Sequence, residues 1–568
     1  MSNSLPQSIQ EFMQLSWSQI EPFYQDLERR PLNETTLTAW MEDWSDLSRM
    51  VHETYRRLYV ATTRDTTDED RERRYAVFLD EVYPPARAAA QVLKEKLLAS
   101  NLQPAGFEIP LRNLRAQAEL FRGENLPLLS EELKLATEYD RIVGAQTVVW
   151  DGQEMTLAQL QIVYQEPERP RREKAWLLEA GRWLADREAI NDLWAKQLEV
   201  RGRLTENAGL PDYRAYRWRQ LLRFDYSPED CTRFHQAIEE VVVPAAHRIY
   251  EKRRKRLGLE VLRPWDLLVD PFGRPPLHPF ETVTELEEKT ASIFRRVDPQ
   301  LGDYFETMRR EGLLDLENRK GKAPGGYCDD FKATRRPFIF TNAVGLHDDV
   351  QTLLHEGGHA FHLFEMIHLP YFHQLETPME FNEVASMAME LLAAPYLSAE
   401  QGGFYSREDT ARARIEHLET CLLFWPYMVV VDAFQHWVYE NHQEARDPAN
   451  CDAKWTELWE RFMPGVDWSG LEAERATGWQ RKLHIHEDPF YYVEYGLAQL
   501  GAFQVWGNAL GDQAGAVAAY RKALSLGGTA TLPQLYATAG ARLAFDAGTL
   551  SGAIRLAEET ITKLEEQE

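Results

Sequence analysis

Apolar residues recur at three- and four-residue spacing along most of this sequence, with charged residues between them. The pattern is clearest over 8–60 and 69–100, and it returns over 129–146, where Ser130 is the expected N-cap, and from 349 to the end. This is the period of an α-helix that buries one face. Strand-like runs are few. The sequence therefore predicts a mainly α fold.

The length of the chain predicts more than one lobe. At 568 residues, it exceeds what a single hydrophobic core usually supports. The irregular segment NLQPAGFEIP at 101–110 closes the first helical block. We therefore predict an N-terminal helical lobe over 1–112 and a second region over 113–568, with a C-terminal helical bundle at 511–568.

Charge and apolar patterning bear on partners and location. The chain carries 64 Lys and Arg against 90 Asp and Glu, a formal net charge of −26. Nucleic acids and anionic membranes attract positive patches, so neither is an expected partner. The start, MSNSLPQSIQEF, lacks a signal-peptide pattern, and the apolar run 421–431 is too short to span a bilayer. The four scattered cysteines favour a reducing cytoplasm.

Two segments depart from the helical pattern. TVVW followed by Asp151-Gly152 predicts a short β-hairpin. Further along, GKAPGGYC at 321–328 is a glycine-rich loop, and the apolar run that follows it predicts a strand over 337–343. A small β element is therefore expected just before the helices that begin near 349.

This loop and strand are candidate peptide-binding elements. Gly325 and Gly326 would let the loop approach an extended peptide closely, because they lack side chains. An exposed edge of the strand, at Phe340 and Asn342, would add such a peptide as another strand. A buried structural hairpin is the alternative reading of the same residues.

The segment HEGGHAFH at 355–362 has metal-ligand spacing. His355 and His359 are four residues apart, so on a helix their imidazoles project from one face. Two such nitrogens supply two corners of a zinc tetrahedron. Glu356 is rotated by about 100° from His355, which suits a general base acting on a water at the metal. A chance occurrence of HExxH is the alternative.

Residues around this motif support a site. Asp348 and Asp349 precede the motif and suit the N-terminal end of a helix. Gly357 and Gly358 inside a helix cost about 1 kcal/mol each relative to Ala. They indicate a place where a substrate backbone or another helix comes very close.

A third ligand is expected in TPMEFNEVASMAMELL at 377–392. Glu383 and Glu390 are seven residues apart and share a helix face with Ala and Met. A carboxylate on an apolar face is costly unless it is paired. Zinc would pair Glu383, and Glu390 would accept a hydrogen bond from the back of a ligating histidine. The alternative is that Glu380, Glu383 and Glu390 are all solvent-facing acids.

Several motifs together resemble the oligoendopeptidase F group of thimet-oligopeptidase-like zinc metallopeptidases, over about 125–510. They are LPLLSEELKLATEYDRIVGAQTVVWDG, GKAPGGYC, RPFIFTNAVGLHDDVQTLLHEGGHAFH, LETPMEFNEVASMAMELL and HIHEDPFYYVEYGLAQLGAFQVW. The resemblance implies one zinc ion per chain, held by His355, His359 and Glu383, with Glu356 as general base. It implies two helical lobes flanking a deep substrate channel, with the site and cleft within 320–510, and hydrolysis of internal bonds in short oligopeptides.

The last of these motifs is rich in hydrogen-bond donors. Peptide hydrolysis develops negative charge on the carbonyl oxygen, and O–H or N–H donors stabilise it. With the resemblance, His484, Tyr492 and Tyr495 are expected as catalytic donors, and Tyr491 as a substrate contact. The tyrosine-glycine-tyrosine cluster of the family aligns here in more than one register. An aromatic face packed in the core is the alternative.

Other functions share part of this pattern. A zinc carboxypeptidase or dipeptidyl-carboxypeptidase would need a basic clamp for the terminal carboxylate, and Arg335 or Arg336 are the candidates for it. A non-catalytic helical-repeat scaffold would carry HEGGH by coincidence and hold no stoichiometric zinc. The sequence does not specify whether the chain is a monomer or a homo-oligomer.

Overall fold

A computed structural model describes residues 5–566, and it is mainly α-helical, as the sequence predicts. The helices before residue 145 are α1 (Ile9–Phe12), α2 (Trp17–Arg29), α3 (Leu37–Arg64), α4 (Glu69–Val77), α5 (Tyr83–Ser100), α6 (Glu108–Leu120) and α7 (Leu126–Gly144). Those up to residue 311 are α8 (Leu157–Leu160), α9 (Arg169–Ala185), α10 (Arg187–Ala208), α11 (Tyr213–Gln220), α12 (Pro228–Arg256), α13 (Val283–Val297) and α14 (Pro299–Glu311).

The remaining helices begin with the one that carries the HEGGH motif. They are α15 (His347–Met366), α16 (Met379–Ala393), α17 (Arg407–Glu440), α18 (Pro448–Phe462), α19 (Glu472–Ala476), α20 (Leu483–His486), α21 (Tyr492–Gly511), α22 (Gln513–Leu524), α23 (Leu532–Thr538) and α24 (Ala547–Glu565). Within residues 5–566, every helix is too short or too polar to cross a bilayer.

The first six helices surround their own hydrophobic core. Large side chains of α3, α5 and α6 meet in it, among them Trp40, Trp44, Leu97 and Leu111, all nearly inaccessible to solvent. Burying such side chains is the main favourable term that holds a helical lobe together. Helix α5 ends at Ser100, where the irregular segment begins, but α6 starts at Glu108 and runs past residue 112 to Leu120, so the boundary at 112 stays a prediction.

A larger core runs from α7 to the C-terminal helices. The helices of 511–568 share this core with α15 and α16. Tyr520 of α22 is fully buried, and its hydroxyl donates to the carbonyl of Ala385 in α16 at 2.6 Å. Packing and hydrogen bonding therefore tie the C-terminal helices directly to the helices that carry the expected metal ligands.

One expected cap is wrong. Helix α7 begins at Leu126, with Pro127 in its first turn, a position where proline costs nothing because its missing N–H has no helical partner. Ser130 therefore lies inside the helix. It is buried, and its hydroxyl donates to the carbonyl of Leu79 at 3.0 Å. The serine joins α7 to the N-terminal lobe.

The two β elements differ in how well the sequence predicts them. The hairpin β1 (Thr147–Trp150) and β2 (Gln153–Thr156) forms as expected, with Asp151 and Gly152 at φ 48° and 83°, the angles of a two-residue hairpin turn. The other sheet has three strands, β3 (Leu314–Glu317), β4 (Tyr327–Phe331) and β5 (Arg336–Ala343), in the order β3-β5-β4. The predicted strand is thus the central one, and β3 and β4 are the two edge strands.

Candidate active site

A cleft of about 400 Å³ lies between the N-terminal lobe and the larger region. Arg56, Tyr59 and Thr63 of α3 line one side of it, together with the loop 323–326 and the edge strand β4. Helices α15 and α16 and the segment 483–495 line the other side. The cleft therefore brings the separate sequence motifs to one place.

The three expected metal ligands converge in this cleft. Nε2 of His355 lies 3.2 Å from Oε2 of Glu383, and Nε2 of His359 lies 3.5 Å from the same oxygen. The three donor atoms all lie within 4.8 Å of one another. Donors placed tetrahedrally at zinc distances of ~2.1 Å would be ~3.4 Å apart. The spacing and the N, N, O donor set therefore fit a zinc ion.

Hydrogen bonds behind the ligands hold them in place. Nδ1 of His355 lies 2.6 Å from Oε1 of Glu390, as the seven-residue spacing predicts, and Oε2 of Glu390 lies 2.7 Å from Nε2 of His417. Ser386 donates to Oε2 of Glu383 at 3.0 Å, and the hydroxyl of Tyr491 donates to Oε1. Such contacts fix the orientation of metal ligands and tune their basicity.

The carboxylates and the histidines of the expected metal site shift one another's pKa values. Burial lowers the pKa of His355, but the carboxylates of Glu383 and Glu390 outweigh it and raise that pKa well above its ordinary value. Burial raises the pKa of Glu383, but His359 and His355 overcome this and hold it well below its ordinary value. The cluster thus attracts positive charge strongly, whether a proton or a metal ion.

The two helix glycines are explained by the packing of α15 against α16 and against α13. A β-carbon on Gly358 would lie 2.4 Å from the carbonyl oxygen of Ala385, and one on Gly357 would lie 2.4 Å from the ring of Phe294. Both contacts are far inside van der Waals distance. The close approach is therefore made by neighbouring helices and not by a substrate, and it lets Glu383 reach the histidines of α15.

The start of α15 is fixed by an aspartate. The carboxylate of Asp349 accepts hydrogen bonds at 2.8 Å from the backbone N–H groups of Val344, Gly345 and Leu346. These N–H groups belong to the turn that leads into the helix. The expected cap is thus present, and it sets where the helix of the metal ligands begins relative to β5.

Glu356 lies beside the expected metal ligands and has a free oxygen. It is 6% exposed, and its Oε2 has no hydrogen-bond partner among residues 5–566. Burial is the main cause that raises its pKa. Gly326 lies against it, because a β-carbon there would come within 3.7 Å of Oε1 and 3.2 Å of Thr352. Both predicted glycines line the cleft, and Gly325 has a φ of +84°.

The residues near the start of α21 divide between cleft and core. His484, Tyr491 and Tyr495 line the cleft, and Nε2 of His484 lies 3.3 Å from the hydroxyl of Tyr495. Tyr492 does not line it. Its ring is 5% exposed and packs 5.6 Å from that of Phe424. The expectation that Tyr492 is a catalytic donor is therefore contradicted by its burial behind His484.

The central position of β5 overturns two substrate contacts. Phe340 is fully buried and stacks on Tyr327 with the ring centroids 4.7 Å apart. Asn342 donates to the carbonyls of Ala323 and Gly325 at 2.9 Å each, so it supports the glycine loop. Neither lines the cleft. The strand that does so is β4, whose outer edge is not paired with another strand in the described chain.

The arginines suggested as an exopeptidase clamp also lie elsewhere. Arg335 occupies the turn between β4 and β5, with φ 58°. Arg336 is paired with Glu311, Nε to Oε2 at 2.5 Å. Neither lines the cleft. These two residues therefore give no support to a carboxypeptidase.

Sequence reasoning missed several residues of the site. His417 comes from α17, and nothing in its local sequence marks it as a partner of Glu390. Asp140, Glu487 and Asp488 add carboxylates to the cleft wall. Burial raises the pKa of Asp140 to about 7, against a smaller opposing effect of its hydrogen bond with Glu487. In the sequence, these three acids are marked only by the frequency of acidic residues near the motifs.

Comparison with protein families gives one match. The family described as peptidase family M3 matches this chain over residues 162–553. Among curated proteins, Oligopeptidase PepF of Bacillus subtilis is 29% identical over 160 residues, which are 27% of this chain and 23% of that protein. The chain spans between 19% and 27% of the length of the curated relatives it matches.

Solved structures match the whole fold. PZ peptidase A, solved with an inhibitor, superposes with a TM-score of 0.90 at 27% identity, covering 100% of both chains. An X-ray structure of a proposed oligoendopeptidase F gives a TM-score of 0.92 at 27% identity, covering 97% of this chain and 98% of that one. These matches confirm the resemblance carried by the sequence motifs and the mainly α fold.

Proposed function

The chain belongs to peptidase family M3, and from that membership we propose that it is a zinc-dependent endopeptidase acting on internal bonds of short oligopeptides. M3 peptidases are metallopeptidases, which is the class that the sequence predicted. The observation that supports the proposal most strongly is the convergence of His355, His359 and Glu383 at donor spacings that suit zinc.

The residues that would hold one zinc ion are those three, with Glu390 and His417 fixing the ring of His355. When bound, zinc acts as a Lewis acid that polarises the scissile carbonyl and makes water a better nucleophile at neutral pH. Tyr491 has a positioning role in this proposal, because its hydroxyl is already bonded to Glu383.

Glu356 would act as the general base. The residue lines the cleft next to the ligands, and its carboxyl has an oxygen without a hydrogen-bond partner, so it would take the proton of the attacking water. The raised pKa of the carboxyl brings it closer to working pH, where a base can both accept a proton and give it back. The same carboxyl would then pass the proton to the leaving amide nitrogen.

Tyr495 would stabilise the oxyanion, and His484 would orient its hydroxyl. Burial lowers the pKa of His484 well below its ordinary value, so its imidazole is neutral at pH 7. A neutral ring that donates from Nε2 to the oxygen of Tyr495 leaves the tyrosine proton free to point into the cleft. Donors that are already in position cost no reorganisation when the negative charge develops.

An extended peptide would bind along β4. Tyr327, Cys328 and Asp329 of this edge strand line the cleft, next to the glycine loop. A free strand edge offers backbone donors and acceptors to a peptide of any sequence. The cleft lies between two lobes, so a flexible peptide can enter, while a folded domain would first have to unfold.

The test is digestion of a mixed peptide library, read by mass spectrometry, with and without a zinc chelator. We expect cleavage at internal bonds, loss of activity with chelator, and recovery when zinc is restored. A stable folded protein in the same tube should stay intact. Release of terminal residues alone would favour the exopeptidase alternative, and purification without stoichiometric zinc would favour the scaffold.

A further inference from the structure

A second cavity, of about 410 Å³, lies beside the metal cleft, and we call it the basic pocket. It lies between the N-terminal lobe, α11 and the segment 372–376, and several aromatic side chains line it, including Trp44, Tyr55, Phe121 and Tyr216. Four cationic side chains line it, namely Arg87, Lys94, Arg122 and Arg219, against a single carboxylate, that of Glu376.

None of these four cations forms an ion pair with a carboxylate among residues 5–566, and three of them also lack the backbone partners that Arg122 has. Arg122 is occupied, because it donates to backbone carbonyls of Glu119, Phe121 and Ala208. Arg87 donates to the hydroxyl of Tyr83 at 3.2 Å, and Lys94 to Oε1 of Gln117 at 2.6 Å. Both partners are neutral. Arg87, Lys94 and Arg219 form no ion pair among residues 5–566.

Unpaired cations are unexpected in this protein. The chain has 90 acidic against 64 basic residues, so carboxylates are abundant. The charge in the pocket is nevertheless uncompensated. Burial and the nearby charge of Arg87 lower the pKa of Lys94 to about 8, and Glu376 opposes this only in part. Apolar walls with unpaired cations are the environment that a carboxylate on a flexible chain would complement.

The pocket and the metal cleft are consecutive along α3. Ser48, Val51 and Tyr55 line the pocket, whereas Tyr59 and Thr63 line the cleft. The helical rise from Ser48 to Tyr59 is ~16 Å, which an extended peptide covers in ~5 residues. The walls of the two cavities are in contact, because Nε2 of His52, which lines the pocket, lies 2.5 Å from Oδ1 of Asp330, which lines the cleft.

The two cavities differ in which kind of ionisable side chain predominates in their walls. The cleft is lined by Asp140, Asp329, Asp330, Glu487 and Asp488 in addition to the residues of the metal site, and by one arginine, Arg56. The basic pocket has the reverse balance. A peptide with charged ends would therefore be oriented, with its ammonium group toward the cleft acids and its carboxylate toward the pocket.

We propose that the basic pocket binds the C-terminal carboxylate of the oligopeptide whose scissile bond lies in the metal cleft, with Arg87, Lys94 and Arg219 as its partners. The proposal rests on the proposed peptidase function. It explains selection of short peptides, because the chain end must lie within reach of the metal. It also keeps cleavage internal, because the stretch of α3 from Ser48 in the pocket wall to Tyr59 in the cleft wall matches ~5 residues of extended peptide.

The kinetic test uses one synthetic oligopeptide in two forms, with a free C-terminal acid and with a C-terminal amide. With wild type, the amide should raise KM about tenfold at similar kcat, since a charge-assisted hydrogen bond is lost. Arg87→Gln and Arg219→Gln, both at exposed side chains, should raise KM for the acid and leave the amide unchanged. Arg74→Ala, an exposed arginine outside the pocket, is the control.

A binding test separates this proposal from the catalytic one. Isothermal titration of Glu356→Gln protein with the two peptides needs no turnover. Tighter binding of the acid, lost in Glu356→Gln/Arg87→Gln, supports the pocket even if no hydrolysis is ever seen. Equal binding of acid and amide, or an unchanged preference after Arg87→Gln and Arg219→Gln, would overturn the proposal while leaving the peptidase function standing.

Discussion

Nδ1 of His355 lies 2.6 Å from Oε1 of Glu390, so one contact joins the two helices that carry the expected zinc ligands. It turns Nε2 of the imidazole toward Glu383, at 3.2 Å. The far oxygen of Glu390 is held by His417 of a third helix. The orientation of a metal ligand thus depends on residues that never reach the metal.

Glu390→Gln should weaken zinc binding by about 10–100-fold, because the amide is a poorer partner for the imidazole and lowers its basicity. His417→Gln should have a smaller effect in the same direction. Competition against a chromophoric chelator measures both. Glu400→Gln, at an exposed position of the same region, is the control. Unchanged zinc affinity in Glu390→Gln would show that the contact only packs the two helices.

Glu356→Gln and His359→Ala should distinguish the role of a general base from the role of a metal ligand. The first should keep zinc and lose at least about 10³-fold in kcat, because the proton acceptor is gone. The second should lose the metal itself. Zinc content by atomic emission, measured with kcat on the same preparations, distinguishes them. Near-normal turnover of Glu356→Gln would show that another group takes the proton.

Gly358→Ala should destabilise the protein by about 1–3 kcal/mol, because the new β-carbon would lie 2.4 Å from the carbonyl of Ala385 and force α15 and α16 apart. Zinc affinity should fall with it. Gly181→Ala is the matched control, since nothing lies within 4 Å of its β-carbon, and it should gain up to about 1 kcal/mol of helix propensity. Thermal unfolding measures both. Equal shifts would contradict the packing explanation.

The buried carboxyl of Asp140 predicts in which direction the stability of the fold changes with pH. Its pKa is raised by burial from 3.8 to about 7 in the folded chain. The folded state therefore binds the proton more tightly, and the stability from this group is full below pH 4 and lost as pH rises through 7. In Asp140→Asn this loss should be absent, so its Tm relative to wild type should increase from pH 5 to pH 8. Asp192→Asn, at an exposed site of α10, is the control.

The sequence predicts those parts of the site that lie on one helix. His355, Glu356 and His359 follow from helical spacing, and the pair of acids on α16 follows from the same period on a small apolar face. The helix glycines indicate a close approach, although not which partner makes it. These inferences succeed because a helix converts spacing in sequence into position in space.

The parts that depend on tertiary pairing could not be predicted. β5 is central only because β3, a short strand near residue 315, pairs with its other side, and no local signal marks that strand. His417 belongs to the site through the packing of α17. The division between Tyr491 and Tyr492 is set by where α21 starts, just after Phe490, whose φ of 65° turns the chain.

Tyr495 lines the cleft and Tyr492 is buried behind it, so substitution of each by phenylalanine gives the most informative kinetic test. Tyr495→Phe should lower kcat by about 10²–10³-fold, or roughly 3–4 kcal/mol, with KM nearly unchanged, because its hydroxyl would act on the oxyanion and not on the bound substrate. Tyr492→Phe is the matched control and should change kcat little, since its ring is buried behind His484. His484→Ala should lower kcat with zinc still bound.

Tyr491→Phe should behave differently from both. It removes the hydroxyl that donates to Glu383, so its main effect should be on zinc affinity, with the loss of kcat restored by excess zinc. Steady-state kinetics at two zinc concentrations separate the three variants. If Tyr495→Phe keeps wild-type kcat while Tyr491→Phe loses it at saturating zinc, the two tyrosines have the reverse roles, and Tyr491 leaves Glu383 to serve the transition state.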